Sequence, residues 1–253
     1  MRVALAVARV CADPALNLAA VLQFANEAAD RGADLLLLPE AVLTGLINND
    51  DPAHDLPLGQ EVPGPATHAV AAVAKNRGIW VCFGLLEREG ERLYDTAVLI
   101  NDSGDIQLRY RRINPGWHGR NAPPQTYDEG SEVPTVLTPW GRIAILICGD
   151  LFDERAVARV REAAPDWLLF PFARCFTGGG SSQSRWEDEE MPVYMEQVCL
   201  AAVPTLMVNY LADELSLPED QSFGGAFVVS SEGHLIAEKV LGEEGILLVD
   251  LNS

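Results

Sequence analysis

The chain has 253 residues, a formal net charge of −19, and 48% of its residues are hydrophobic. That length and composition can bury a large core without disulfide staples, and the acidic excess opposes Coulombic binding to nucleic acid or anionic lipid. Five cysteines at irregular spacing and four scattered histidines give no disulfide framework and no CxxC, HxH or HExxH pattern, which argues against a structural or catalytic metal.

Val3 to Val7 reads as a buried strand. In the segment that follows, Asp13 can N-cap a helix, Pro14 suits its first position, Leu18, Val21, Leu22 and Ala25 form an apolar stripe, and Gly32 stops it. "ADLLLLPE" predicts a strand with Glu40 just past its end, "PATHAVAAVAKNRG" a second helix and "IWVCFGLLER" another strand. "YDTAVLIND" and "IQLRYRR" flank the turn "NDSG", so they pair antiparallel and make the sheet mixed. The stretch from Ile113 to Glu132 is long, irregular and rich in Pro, Gly and Asn, and loops of that length in a compact domain are usually functional.

"VPTVLTPWGRIAILIC" supplies a short strand, a turn and a strand ending at Cys148. "LFDERAVARVREAAP" follows as a helix and "DWLLFPF" as a strand. "CFTGGGSSQS" reads as a flexible loop, and "RWEDEEMPVYMEQVCLAAV" as a helix that Pro192 kinks. "PTLMVN", a hairpin in "GAFVVSSEGHLIAEK" and "GILLVDL" complete an alternation of strands and helices with no linker, so one α/β domain over 1–253 is the expectation. The apolar runs are too short to span a bilayer, and "MRVALAVARV" lacks a signal peptide's cleavage region. A reduced, cytoplasmic setting with no membrane or nucleic-acid partner follows as the expectation.

Glu40, Arg112 and Cys148 each fall where a buried run gives way to irregular chain, and strand ends are where α/β proteins collect functional groups. Singly, each has a plain structural reading: Glu40 solvates a strand end, Arg112 pairs with a surface carboxylate, and Cys148 is a small core hydrophobe. Their company is more specific. "LLLLPE" at 35–40, "LRYRRI" at 108–113, "ILICGDLFDE" at 145–154, "DWLLFP" at 166–171, "VN" at 208–209 and "FGGAFVVSSEG" at 223–233 occur in an order that resembles the nitrilase, or carbon-nitrogen hydrolase, superfamily across the chain.

The resemblance implies a nitrilase-like four-layer α-β-β-α sandwich with two mixed sheets, usually assembled through a helical face into a homodimer or larger homo-oligomer. It implies a cysteine that attacks an amide or nitrile carbon, a glutamate base and a lysine that stabilises developing charge, with no metal or organic cofactor. Carried onto this chain, Cys148 is the nucleophile and Glu40 the base, and the lysine position falls at Arg112. The residues fit that chemistry. A thiol with an ordinary pKa of about 8.5 needs a base or a positive field, which a leucine-walled Glu40 can supply if burial raises its own value. Gly149 permits close approach and offers an N–H to an oxyanion, and Asp150 reads as a helix cap.

Arginine at 112 keeps a permanent charge but is longer, planar and not a proton donor. The further glutamate that many members place in the following loop has no counterpart in "HGRNAPPQ" at 118–125, since Asp128, Glu129 and Glu132 lie at or beyond the turn. Trp117 and His118 are candidates to line a pocket. Phe172, Ala173 and Arg174 are candidates for an acyl pocket, with Arg174 reading a substrate carboxylate. The expectation is a cysteine-dependent hydrolase of a small amide, carbamoyl or nitrile substrate, amides favoured. The alternative is a non-catalytic or reassigned binding protein on the same fold, which Arg112 and the missing loop carboxylate favour.

Overall fold

The computed structural model describes residues 1–176, 178, 180–217 and 221–251. The first half of the chain runs β1 (Arg2–Val7), β2 (Arg9–Val10), α1 (Pro14–Asp30), β3 (Leu35–Leu37), α2 (Pro52–Asp55), α3 (Pro65–Arg77), β4 (Trp80–Glu89), β5 (Arg92–Ile100) and β6 (Ile106–Arg111). The second half begins with β7 (Thr135–Thr138), β8 (Gly141–Ile145), a 3₁₀ turn (Cys148–Phe152), α4 (Glu154–Ala163) and β9 (Trp167–Phe172). It continues with α5 (Gln183–Arg185), a π turn (Trp186–Glu190), α6 (Met191–Ala201), β10 (Thr205–Asn209), β11 (Leu211–Ala212), β12 (Ala226–Val229), β13 (Leu235–Lys239) and β14 (Gly245–Asp250).

Two six-stranded mixed sheets result, in the orders β14-β1-β3-β4-β5-β6 and β13-β12-β10-β9-β8-β7. In each, three neighbouring strands run parallel, joined by helices, and antiparallel hairpins extend the edges. The first sheet shows the two-residue period plainly. Val3, Leu5, Val7, Leu35 and Leu37 belong to the apolar cluster shared with the second sheet, whereas Ala4, Ala6, Leu36 and Leu38 pack with Val21, Phe24, Val70 and Ala74 of α1 and α3. Residues of α4 and α6, including Val160 and Val198, complete the first of these clusters from the far side. The layers are therefore helix, sheet, sheet, helix, as the resemblance implies. Burying Val21 and Phe24 contributes about 1.5–3 kcal/mol each, which holds α1 on its sheet.

The end signals read from the sequence act where expected. Asp13 accepts from the Ala15 N–H at 2.8 Å and Pro14 opens α1, while Gly32, with a φ of +73°, follows the Arg31 cap that ends it. Two details differ. The helix expected directly after Cys148 begins only at Glu154, capped by Asp153, because a 3₁₀ turn intervenes. Pro192 does not kink α6; it sits in the first turn, where its missing N–H is harmless, and the irregularity is the π turn before it. The loop expected over "CFTGGGSSQS" lies partly outside the described residues, at positions 177 and 179. Among the described residues no helix is long and apolar enough to cross a membrane.

Candidate functional site

Three loops after strand ends and one mid-strand carboxylate meet where the two sheets face each other. Glu40 follows β3 on a sharp turn in which Ala41 adopts φ +45°. The turn is tied to β4 by the Leu38 N–H to the Cys82 carbonyl at 2.8 Å and by the Gly84 N–H to the Pro39 carbonyl at 3.1 Å. A Cβ on Gly84 would stand 2.5 Å from the Ala41 nitrogen and 2.7 Å from the Glu40 Cα, so only glycine lets β4 come so near. The Glu40 side chain is fully buried.

Arg112 is the first residue past β6, and it too is buried. Its Nη1 donates to Glu40 Oε1 at 2.8 Å and to Asp95 Oδ2 at 3.2 Å. Asp95 projects from the middle of β5 and is buried as well. The other end of the guanidinium reaches the nucleophile's turn: a Cβ on Gly149 would lie 2.6 Å from Nη2 and 2.8 Å from Asn114 Oδ1. Absence of a side chain at 149 is thus what makes room for the arginine.

Cys148 opens the 3₁₀ turn after β8 with φ +45°, a conformation uncommon for a residue with a Cβ. Its Sγ lies 3.6 Å from the Ala173 carbonyl oxygen at the end of β9, and the thiol is close enough for its charge to act on both Glu40 and Arg112. Burial first, then the nearby Cys148 and Asp95, push the Glu40 carboxyl well above the usual carboxylate range, against the pull of Arg112. Burial opposes the charge of Arg112, but Cys148, Glu40 and Asp95 together outweigh it and hold the proton more firmly than usual.

Asp150 does more than cap. Its Oδ1 accepts from the N–H groups of Ile113 and Asn114 at 3.0 and 2.7 Å, and its Oδ2 accepts from the Ile147 N–H at 3.1 Å and the Tyr110 hydroxyl at 2.6 Å. One carboxylate so fastens the loop carrying Arg112 to the turn carrying Cys148. Burial pushes it up to about 6, opposed by the Tyr110 hydroxyl and the backbone donors. Asn209, of the "VN" pair, plays a matching part on the other flank. Its side chain accepts from the Arg174 N–H at 2.9 Å and donates to the Arg174 carbonyl at 3.1 Å, fixing the segment that presents the Ala173 carbonyl.

The remaining sequence candidates separate. Ala173 lines a cleft of about 600 Å³ together with Leu46, Ile47, Asn48, Asn49 and Leu217. Trp117 and His118 border a smaller depression of about 240 Å³ that shares Leu46, Asn48 and Asn49 with it. The Trp117 ring itself is buried with Leu86, Leu93 and Tyr127, and His118 Nε2 meets Glu129 Oε1 at 2.7 Å. Phe172 does not line a pocket: strand alternation turns its ring into the core, stacked on Phe170 and Trp186. Arg174 is not free to read a substrate carboxylate, because its Nε and Nη2 already hold both oxygens of Glu190 at 2.9 and 2.5 Å.

Sequence reading missed Asp95, Asn114 and Asn209 as side chains of this site. The signal for Asp95 was present: a carboxylate inside "YDTAVLI", a run otherwise suited to burial. Among the described residues no group of three or more His, Cys, Asp and Glu could hold a metal ion.

A carbon-nitrogen hydrolase family model matches residues 2–253. Nitrilase 3 of Arabidopsis thaliana is 25% identical over 260 residues, spanning 91% of this chain and 72% of the plant protein. Among solved structures, the NitN amidase from Neterenkonia sp. AN1 has a TM-score of 0.78 at 23% identity, covering 100% of this chain and 93% of that one. A carbon-nitrogen hydrolase from Helicobacter pylori G27 has a TM-score of 0.83 at 17% identity, covering 98% and 87%.

Proposed function

This chain belongs to the carbon-nitrogen hydrolase family, and on that premise we propose that it cleaves a small amide by cysteine-dependent acyl transfer to water. The observation that carries the reading is the convergence of Glu40, Arg112 and Cys148, from three separate strand ends, on one buried point. The Cys148 sulfur attacks the carbonyl carbon as its proton passes to Glu40. The Gly149 N–H and the Nη2 of Arg112 face the developing oxyanion. As the tetrahedral centre collapses, the C–N bond breaks and the nitrogen leaves with the proton from Glu40. Water then gives a proton to Glu40 and attacks the thioester, and the C–S bond breaks as that proton returns to the sulfur and the acid forms.

Substrates with small, uncharged acyl groups fit best, since Leu46, Ile47, Ala173 and Leu217 give the adjoining cleft an apolar wall and Arg174 is committed to Glu190. Amides are preferred over nitriles on the ground that the protein resembles an amidase over 100% of its length, although nitrilases stand among its relatives. The test is intact mass after iodoacetamide treatment of the parent chain, Cys148→Ala and Glu40→Gln, followed by an amide panel read by ammonia release. Rapid single labelling of the parent that Cys148→Ala abolishes, with ammonia release from at least one small amide, is the expected result. A parent that labels no faster than an ordinary thiol, with no ammonia released, overturns it.

That second result would favour a non-catalytic binding protein, the reading to which the direct Arg112–Glu40 pair lends support. Homodimerisation, implied by the resemblance, belongs to the same proposal; light scattering that shows only monomer at micromolar concentration counts against it.

A further inference from the structure

Two buried carboxylates, Glu40 and Asp95, share a single nitrogen of one buried guanidinium. Each also has an oxygen, Glu40 Oε2 and Asp95 Oδ1, that is buried without a hydrogen-bond donor. The two carboxyls are close enough for the charge of Asp95 to act on Glu40. With both ionised, one cation would face two anions out of contact with water, and an uncompensated buried charge is strongly destabilising. Sequence position separates the three groups onto β5, the end of β3 and the end of β6, so folding, not local sequence, assembles them.

We propose that Asp95 is a positioning residue of this site: it holds one proton jointly with Glu40 and serves as counter-ion to Arg112, leaving Glu40 available to the nucleophile. The inference rests on the hydrolase reading given above. One proton on the carboxyl pair makes the pair and Arg112 neutral together and gives a donor to an otherwise orphaned oxygen. Attack by Cys148 adds the thiol's proton to the pair, and the departing nitrogen takes one of the two as the C–N bond breaks. The pair, back at one proton in the thioester, gains another from the attacking water and returns it to the Cys148 sulfur as the C–S bond breaks, which restores the resting count. Arg112 keeps its own proton throughout.

The groups that face this pair are Arg112, Cys148, Tyr194 from α6 and, on the Asp95 side, Tyr110 of β6; Asp150 acts on it through Arg112. Among them Asp95 adds negative charge beside Glu40, which favours the protonated form. Substituting Asp95→Asn keeps the size and removes that charge. The measurement is the second-order rate of iodoacetamide alkylation at Cys148 against pH, for the parent and Asp95→Asn, with thermal melts alongside. The expected result is an acid limb moved to lower pH by about one unit or more, with alkylation at neutral pH slowed about tenfold or more, as a weaker base implies.

An Asp95→Asn limb that coincides with the parent's overturns the proposal, whatever the melt shows, because a merely structural role moves the melt alone. Infrared difference spectra of the parent supply a second reading that requires no folded Asp95 variant. A protonated carboxyl band at neutral pH, altered in Glu40→Gln, is expected, and its absence overturns the proposal. Failure of the hydrolase reading looks different: the parent then neither labels rapidly nor releases ammonia, while the infrared band still reports on the shared proton.

Discussion

Glu40 is walled off from water at the end of β3, and its folded carboxyl titrates well above the usual range, chiefly through burial. A value raised on folding means that the protonated form stabilises the fold. That contribution is complete below the unfolded value of about 4.3 and is lost as pH rises through the folded value. Glu40→Gln removes the titration, so the variant is expected to melt about 2–6 °C above the parent near pH 8. The gap should close as pH falls toward 5, and a variant melting lower than the parent at pH 8 refutes this. Glu40, Arg112 and Cys148 were legible in the sequence because each sits at a strand end within an ordered set of motifs, whereas singly each had a plain structural reading. Asp95 carried a signal as a carboxylate in a run suited to burial, but its role was not legible, since that depends on which cation follows β6 beside it. Phe172 misled for the reverse reason: it neighbours the site in sequence, but strand alternation turns its ring away and leaves only the next residue's carbonyl near the thiol.

At the scale of elements, sequence patterning found the β5–β6 and β12–β13 hairpins, α1 and α3, and the strand β8 that leads to the nucleophile, but not the four-residue α2. What it did not find were the features set by tertiary approach: the 3₁₀ turn ahead of α4, the π turn ahead of α6 and the parallel pairing of the two-residue strands β2 and β11. Each lacks a period long enough to read. The contact of β4 with the Glu40 turn belongs to the same class. Gly84→Ala pushes a methyl against backbone atoms that have no rotamer to yield, and overpacking of this kind costs about 1–3 kcal/mol. Because the displaced backbone carries Glu40, alkylation of Cys148 and any amide turnover are expected to fall by about 10-fold or more. Melting point and alkylation rate check this together, and an unchanged rate in a destabilised Gly84→Ala variant argues against the coupling.

Over the whole molecule, acidic residues outnumber basic ones 37 to 18, so mutual repulsion acts against the folded state. Pairs such as Arg2–Asp250 and Arg31–Glu27 are exposed and contribute little. Screening therefore relieves more repulsion than it removes attraction, and the melting point is expected to rise between about 20 mM and about 300 mM sodium chloride; a fall would show that the surface pairs dominate. An α/β class was legible from the alternation of strands and helices, but the division into two sheets came only from the family resemblance, because period alone does not say which strands become neighbours. That division matters for the chemistry. Glu40, Asp95 and Arg112 ride on the first sheet, Cys148 and Ala173 on the second, and the side chains of Leu5 and Leu37 fill the layer between. The site is a caliper closed on its own core: trimming a methylene from that layer lowers the melting point and also puts the jaws out of true, a lost alignment between nucleophile and base.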